Sequence, residues 1–182
     1  MTEVFKGRPA EPAGRLERET RVYDYLDALG IEYDRADHER AETMTICEEI
    51  SKVLGTKICK NLFLCNRQQT VFYLLMMPGD KPFKTKELSA QINSSRLSFA
   101  TPEHMLSLLD IEPGAVSVMG LMNDREKKVN LLVDKDLLED ETIGIHPCVC
   151  TSCLKMRTED VFGPFLRSTG HIMTTVELVG AE

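Results

Sequence analysis

The stretch Lys60-Asn61-Leu62-Phe63-Leu64, with Val71-Phe72-Tyr73-Leu74-Leu75-Met76-Met77 and the turn Pro78-Gly79-Asp80 that follow, decides how this chain is read. The run Leu62 to Leu64 is too short for a helix, and polar Asn66 to Thr70 separates it from the second run. The pair therefore reads as a β-hairpin buried on much of both faces. Lys60 stands at its head, on the rim of the expected sheet. A lysine beside an apolar sheet either snorkels to solvent or holds a fixed positive charge towards a pocket.

Working outward, Val22, Tyr25, Leu26 and Leu29 recur at helical spacing between Leu16 and Leu29, and Gly30 supplies the stop. Residues Met1 to Gly14 read as a poorly ordered tail, and residues 15–182 as a single domain. Ile31 to Ala36 is a short strand. A second helix starts at Met44 or Thr45, with Thr45 and Glu48 as a capping box, and ends at Gly55. Beyond the hairpin come a helix from Lys84 to Ile92 and a brief strand from Arg96 to Phe99. Thr101-Pro102-Glu103 then opens a helix that runs to Leu109, with Thr as N-cap and Pro at the first position. Ala115 to Val118, Val129 to Val133 and Ile172 to Leu178 read as strands, Val149 to Met156 as extended, and Thr158 as the cap of a last helix. Asn123-Asp124 reads as a turn. Helices and strands interleave without strict alternation, which predicts a mixed α/β domain with a largely antiparallel sheet flanked by helices.

The chain has 182 residues, 42% hydrophobic and 28% charged, as in ordinary soluble domains. No apolar run approaches the ~20 residues needed to span a bilayer, and no secretory leader is visible, so the expected location is the cytoplasm, with no membrane partner. A net charge of −7 argues against a general nucleic-acid binder, and no DNA partner is expected. The charge is uneven: Ser51 to Ala100 carries eight basic residues and two acids, +6, leaving −13 elsewhere. That segment is either a solvated face or a local surface that grips a few phosphates.

No glycine-rich phosphate loop, nucleophile elbow or HExxH helix occurs. The densest chemistry is Gly144-Ile145-His146-Pro147-Cys148-Val149-Cys150-Thr151-Ser152-Cys153. Its thiols and imidazole could bind zinc, but the spacing fits no common knuckle and no second CxxC pair exists. Small buried or pocket-lining thiols are the better reading, with no metal and no cofactor.

These segments together resemble one family. Lys60-Asn61-Leu62-Phe63-Leu64, Leu74-Leu75-Met76-Met77-Pro78-Gly79-Asp80-Lys81, Arg96-Leu97-Ser98-Phe99-Ala100, Pro113-Gly114, Gly120-Leu121-Met122-Asn123-Asp124 and Gly144-x-His146-Pro147 follow in the order found in the YbaK/ProX prolyl-tRNA editing domains, in particular the free-standing ProX type. The resemblance spans about Gly30 to Leu178. It implies a hydrolase of misacylated tRNA(Pro) that works in trans, most simply on Ala-tRNA(Pro), without cofactor. It implies Lys60 as the active-site lysine at the 3′ end of the tRNA, with Gly144 and His146 in the catalytic loop. Asn61, Pro147, Cys150 and Thr151 join Lys60 in binding substrate. Backbone N–H groups near Gly144 are expected to serve the ester carbonyl. A histidine near the pocket is also implied at His38, without a role. Contact with prolyl-tRNA synthetase and a homodimer are left open. Where the pattern carries Asn-Thr after His-Pro, this chain has Cys150-Thr151, and a thiol cannot reproduce the two donors and one acceptor of an amide. An inactive tRNA- or synthetase-binding module, and a cysteine-cluster metal or redox protein, are the competing readings.

Overall fold

The computed structural model describes residues 2–40 and 44–180. The chain begins with β1 (Val4–Lys6), α1 (Glu17–Ala28), β2 (Asp34–Asp37) and α2 (Met44–Leu54). Then come the hairpin strands β3 (Cys59–Cys65) and β4 (Phe72–Pro78), α3 (Thr85–Gln91), β5 (Ser98–Phe99) and α4 (Pro102–Leu109). The remainder holds a 3-10 helix (Val118–Asn123), β6 (Val129–Asp134), a second 3-10 helix (Lys135–Glu139), β7 (Thr142–Ile145) and β8 (Ser152–Arg157). A composite helix runs through Thr158–Asp160, a π segment Val161–Phe165 and Leu166–Thr169, ahead of β9 (Met173–Val176).

The hairpin forms as expected, with Lys60 opposite Met77 and Leu64 opposite Tyr73. Its turn is fastened by Asn66, whose Oδ1 accepts from the backbone N–H of Thr70 at 2.8 Å and of Val71 at 3.1 Å. Successive side chains point to opposite faces, so Phe63, Cys65, Phe72, Leu74 and Met76 enter one core cluster, and Leu64, Leu75 and Met77 another. Both faces are covered, which explains apolar runs without polar alternation.

The expected single sheet is two. β3 and β4 belong to a five-stranded sheet ordered β5-β3-β4-β6-β9, and β1-β2-β8-β7 form a four-stranded one. The strand pairs are antiparallel except β4 with β6 and β6 with β9, which are parallel. The mixed, largely antiparallel α/β architecture therefore holds. The main core lies between the sheets, where Ile143, Leu154 and Met156 of the smaller sheet meet Phe63, Leu74 and Leu131 of the larger one, together with Tyr33 just ahead of β2 and Val22 and Leu26 of α1. Helix α3 covers the outer face of the larger sheet through Leu88, and α2 covers the smaller one through Ile50 and Leu54.

Other local readings need correction. Val4–Lys6, placed in a poorly ordered tail, pairs with β2. Thr45 lies inside α2 rather than capping it; the residues just before Met44 lie outside the described residues. Ala115 to Val118 is not a strand. Ser117 accepts from Met119 N at 3.1 Å and caps a 3-10 helix instead. Thr158 does not cap; its hydroxyl donates to the Asp140 carbonyl. Cys148 to Thr151 form a turn ahead of β8, with Cys148 at φ 62°, so the extended run expected from Val149 begins only at Ser152. The Thr101 cap and Pro102 start of α4 are as expected, with Thr101 Oγ1 accepting from His104 N at 3.3 Å. Among the described residues no helix is long and apolar enough to cross a membrane.

Candidate functional site

The two sheets meet at a seam two residues before Lys60. Ile58 forms an isolated parallel bridge with Gly144, whose N–H donates to the Lys57 carbonyl at 2.8 Å. The approach needs glycine: a Cβ on Gly144 would stand 3.0 Å from Ile58 Cγ1 and 3.1 Å from Ile58 Cα. Gly79 closes on Ile58 from the hairpin side, where a Cβ would meet the Ile58 carbonyl oxygen at 2.7 Å. Cys59 adds a thiol hydrogen bond to the Gly144 carbonyl at 3.3 Å, and burial pushes its pKa up to about 11, which keeps it a donor. The N–H of Gly144 itself is thus committed to the seam, and the lack of a side chain at Gly144 is what lets the two sheets approach.

Lys60 and Asn61 leave β3 on opposite sides. Lys60 is half-buried, and its Nζ donates to the Lys81 carbonyl at 2.7 Å. Among the described residues it has no carboxylate within ion-pair distance. Lys81, by contrast, reaches Asp134 at 2.6 Å, Asp136 at 2.7 Å and the Leu178 carbonyl at 2.7 Å. Burial pulls the Lys81 ammonium down, but hydrogen bonds to both carboxylates outweigh it and the pKa rises. Asn61 turns towards the seam. Its Nδ2 lies 3.4 Å from Cys59 Sγ, and its Oδ1 is buried without a hydrogen-bond partner.

The loop after β7 carries His146, Pro147, Cys150 and Thr151. His146 Nδ1 lies 2.9 Å from the Ser152 carbonyl, so that nitrogen must carry the proton, and Nε2 is left as an acceptor. Burial lowers the His146 pKa, against the hydrogen bond that the ring donates to the Ser152 carbonyl, and the neighbouring His38 imidazole adds to the lowering. The neutral ring is favoured. The two imidazoles are neighbours, with centroids 6.4 Å apart, and His38 Nε2 is buried without a hydrogen-bond partner. His38 also donates its backbone N–H to the Thr151 carbonyl at 2.9 Å, tying β2 to the loop.

A charge cluster holds this arrangement. Ser152 Oγ donates to Asp37 Oδ1 at 2.8 Å, and Arg15 binds both Asp37 oxygens at 3.1 and 2.8 Å. Arg35 completes it with a close hydrogen bond to Asp37. Burial would raise the Asp37 pKa, but hydrogen bonds from Arg15, Arg35 and Ser152 hold it at about 2. Beside the cluster Cys150 and Thr151, with Leu16, Arg18, Arg40 and Val149, line a pocket of about 150 Å³. A larger open hollow of about 540 Å³, lined by Lys6, Tyr33 and Lys155 among others, contains none of the expected site residues.

The structure brings Lys60, Asn61 and Gly144 together through the seam, and His146, Pro147, Cys150 and Thr151 through one loop. Lys60 does not line the 150 Å³ pocket. The pairing of His38 with His146 and the clamp on Asp37 were not read from the sequence, because the partners lie far apart along the chain. Among the described residues no group of three His, Cys, Asp or Glu side chains is placed to hold a metal. Cys148 is buried and pushed up to about 12 by desolvation, and Cys153 is buried beneath α2.

Comparison with known proteins agrees with this architecture. The aminoacyl-tRNA editing domain model matches residues 38–162. The prolyl-tRNA editing protein ProX of Acetoanaerobium sticklandii is 28% identical over 163 residues, 90% of this chain and 99% of that protein. The prolyl-tRNA synthetase associated domain-containing protein 1 of Xenopus laevis is 31% identical over 165 residues, 87% of this chain and 95% of that protein. A crystal structure described as a candidate trans-editing enzyme for prolyl tRNA synthetase shares the fold, with a TM-score of 0.66 at 18% identity over 90% of this chain and 98% of that one. With the domain match spanning both the Lys60 strand and the His146 loop, the chain belongs to the aminoacyl-tRNA editing domain family.

Proposed function

We propose that this protein is a free-standing deacylase that removes a wrongly attached small amino acid, alanine first, from tRNA(Pro). The relative named as a prolyl-tRNA editing protein supports the choice of tRNA. The observation that carries the reading is the state of Lys60. It is a half-buried cation that, among the described residues, is held by a neutral carbonyl at 2.7 Å and by no carboxylate, two residues along the chain from the Ile58–Gly144 bridge.

The chemistry suits such a site. A synthetase pocket sized for proline cannot strongly exclude alanine, because a missing methylene is worth only ~1–3 kcal/mol. A second site that accepts alanine and rejects proline by size corrects the error. The substrate ester is already activated, so the protein needs to orient it, admit water and stabilise the developing oxyanion. Water attacks the ester carbonyl, the bond to the ribose oxygen breaks, that oxygen takes a proton and the free amino acid leaves. Lys60 is assigned to the 3′ adenosine, as a point charge on its phosphate. His146 Nε2 is assigned to the attacking water, and the unpartnered Asn61 Oδ1 to the α-ammonium group. Pro147, Cys150 and Thr151 are assigned to the amino-acid end.

The test is deacylation of tRNA(Pro) charged with alanine, cysteine or proline, by wild type and Lys60→Ala. Selective loss of Ala-tRNA, abolished in a folded variant, is the expected result; turnover on none of the three overturns the reading. One residue favours a binding-only module of the same fold: Cys150, which lines the pocket where the family pattern has asparagine. Tight binding of tRNA(Pro) without turnover, and turnover restored by Cys150→Asn, would establish that version. A contact with prolyl-tRNA synthetase belongs to the same proposal, checked by co-sedimentation of the two proteins.

A further inference from the structure

The motif Arg96-Leu97-Ser98-Phe99-Ala100 divides in the fold. Leu97 and Ala100 are core residues, 2% and 8% exposed, whereas Phe99 is 61% exposed. Phe99 lies on β5, an edge strand, and pairs with Leu64 of β3. Directly paired residues share a face, as do alternate residues along a strand. Phe99 therefore projects on the side of Leu64, Leu62 and Lys60, with Lys60 ~13 Å along β3 from its partner. Phe83 adjoins Phe99. Its ring meets Phe99 edge-on, with centroids 6.5 Å apart, and it lies two residues after Lys81, whose carbonyl holds Lys60.

Most cations of this segment are not spent on carboxylates of the protein. Among the basic residues from Lys52 to Arg96, only Lys57 and Lys81 have a carboxylate within ion-pair distance among the described residues. Lys84, Lys86 and Arg96 flank the two rings along the chain without one. The edge itself is two residues long, a poor template for adding a strand. An exposed ring, Phe99, backed by the half-buried ring of Phe83 and flanked by cations without carboxylate partners makes a surface for single-stranded nucleic acid, where bases stack and phosphates meet charge.

We propose that Phe99 and Phe83 stack the unpaired bases that precede the 3′ adenosine of the substrate tRNA, with Lys84, Lys86 and Arg96 meeting the phosphates. The proposal rests on the editing reading, since it delivers the 3′ end to Lys60. It is tested by fluorescence anisotropy on two RNA probes: an acceptor-stem hairpin ending in a single-stranded CCA, and the same hairpin with a blunt end. The expected result is tighter binding of the CCA hairpin by wild type, weakened about tenfold in Phe99→Ala and kept in Phe99→Trp. A 2-aminopurine in the overhang should be quenched by wild type and by Phe99→Trp only. Equal binding of the two hairpins by wild type, or unchanged affinity in Phe99→Ala, overturns the proposal. So does a Phe99→Ala effect confined to a shift from dimer to monomer in sedimentation, which would make the ridge a contact between copies. The two readings fail separately. Phe99-dependent CCA binding without deacylation sinks the hydrolase and leaves the ridge. Lys60-dependent deacylation with Phe99→Ala binding unchanged sinks the ridge and leaves the hydrolase.

Discussion

Two lysines stand at the same end of the hairpin, joined by a single hydrogen bond from one side chain to the other's carbonyl, and the protein uses them in opposite ways. Lys81 is consumed by the fold: two carboxylates, one of them 0% exposed, and the Leu178 carbonyl surround its ammonium. Lys60 faces the same sheet with one neutral acceptor. A neutralised charge locks elements together, and an unneutralised one can still attract an anion. Lysine content alone does not distinguish these states; the placement of Asp134 and Asp136 does.

The largest effect should come from the consumed lysine. Lys81→Met leaves Asp134 buried without its counter-charge and should cost ~3–5 kcal/mol of stability, visible as a lower urea midpoint. If Lys60→Met costs as much, the two lysines are not different in kind. Next is Lys60→Ala, which should lower single-turnover deacylation of Ala-tRNA(Pro) roughly 100-fold, about 2.7 kcal/mol of barrier, with little change in melting temperature. A smaller effect is expected of Gly144→Ala, whose Cβ would press on Ile58 and on the Lys57 carbonyl at 3.3 Å. Overpacking there should cost ~1–3 kcal/mol and should reduce turnover through Lys60's strand, leaving the Lys81 cluster intact.

The smallest concerns acid. Asp37 is held at about 2, below its ordinary 3.8, so it contributes stability above pH 4 that is lost as pH falls towards 2. Its side chain is 31% exposed, and solvent screening reduces the contribution to on the order of 1 kcal/mol. Asp37→Asn should flatten the stability profile between pH 4 and 2 in thermal melts. His146 moves stability in the same direction at higher pH. Its pKa is lowered on folding, so the unfolded chain binds the proton first and stability falls as pH drops below about 6.5. His146→Gln should remove that slope.

The hairpin, α1, α4 and the mixed α/β class were legible because short-range periodicity and caps fix them. The division into two sheets was not, since the Ile58–Gly144 bridge joins residues 86 positions apart and no local pattern announces it. The strand at Val4–Lys6 is too short to show alternation. Ser117 lost to cap chemistry what Ala115 to Val118 suggested as β propensity. At the site, Lys60 and His146 could be named from their motifs. That Lys60 and Asn61 serve opposite faces follows from strand alternation, yet which face meets the seam depends on where β7 lands. The neighbours of His146, namely His38 and the Asp37 clamp, are tertiary facts.

The second core cluster also has a consequence for synthesis. Leu64, Leu75, Met77 and Leu88 are covered in part by Val176 and Leu178, and Lys81 is tied to the Leu178 carbonyl. Translation delivers the hairpin and α3 long before β9. Until β9 emerges from the ribosome, the part of that hairpin face that α3 does not cover must wait exposed, an apolar surface available to chaperones and to other nascent chains.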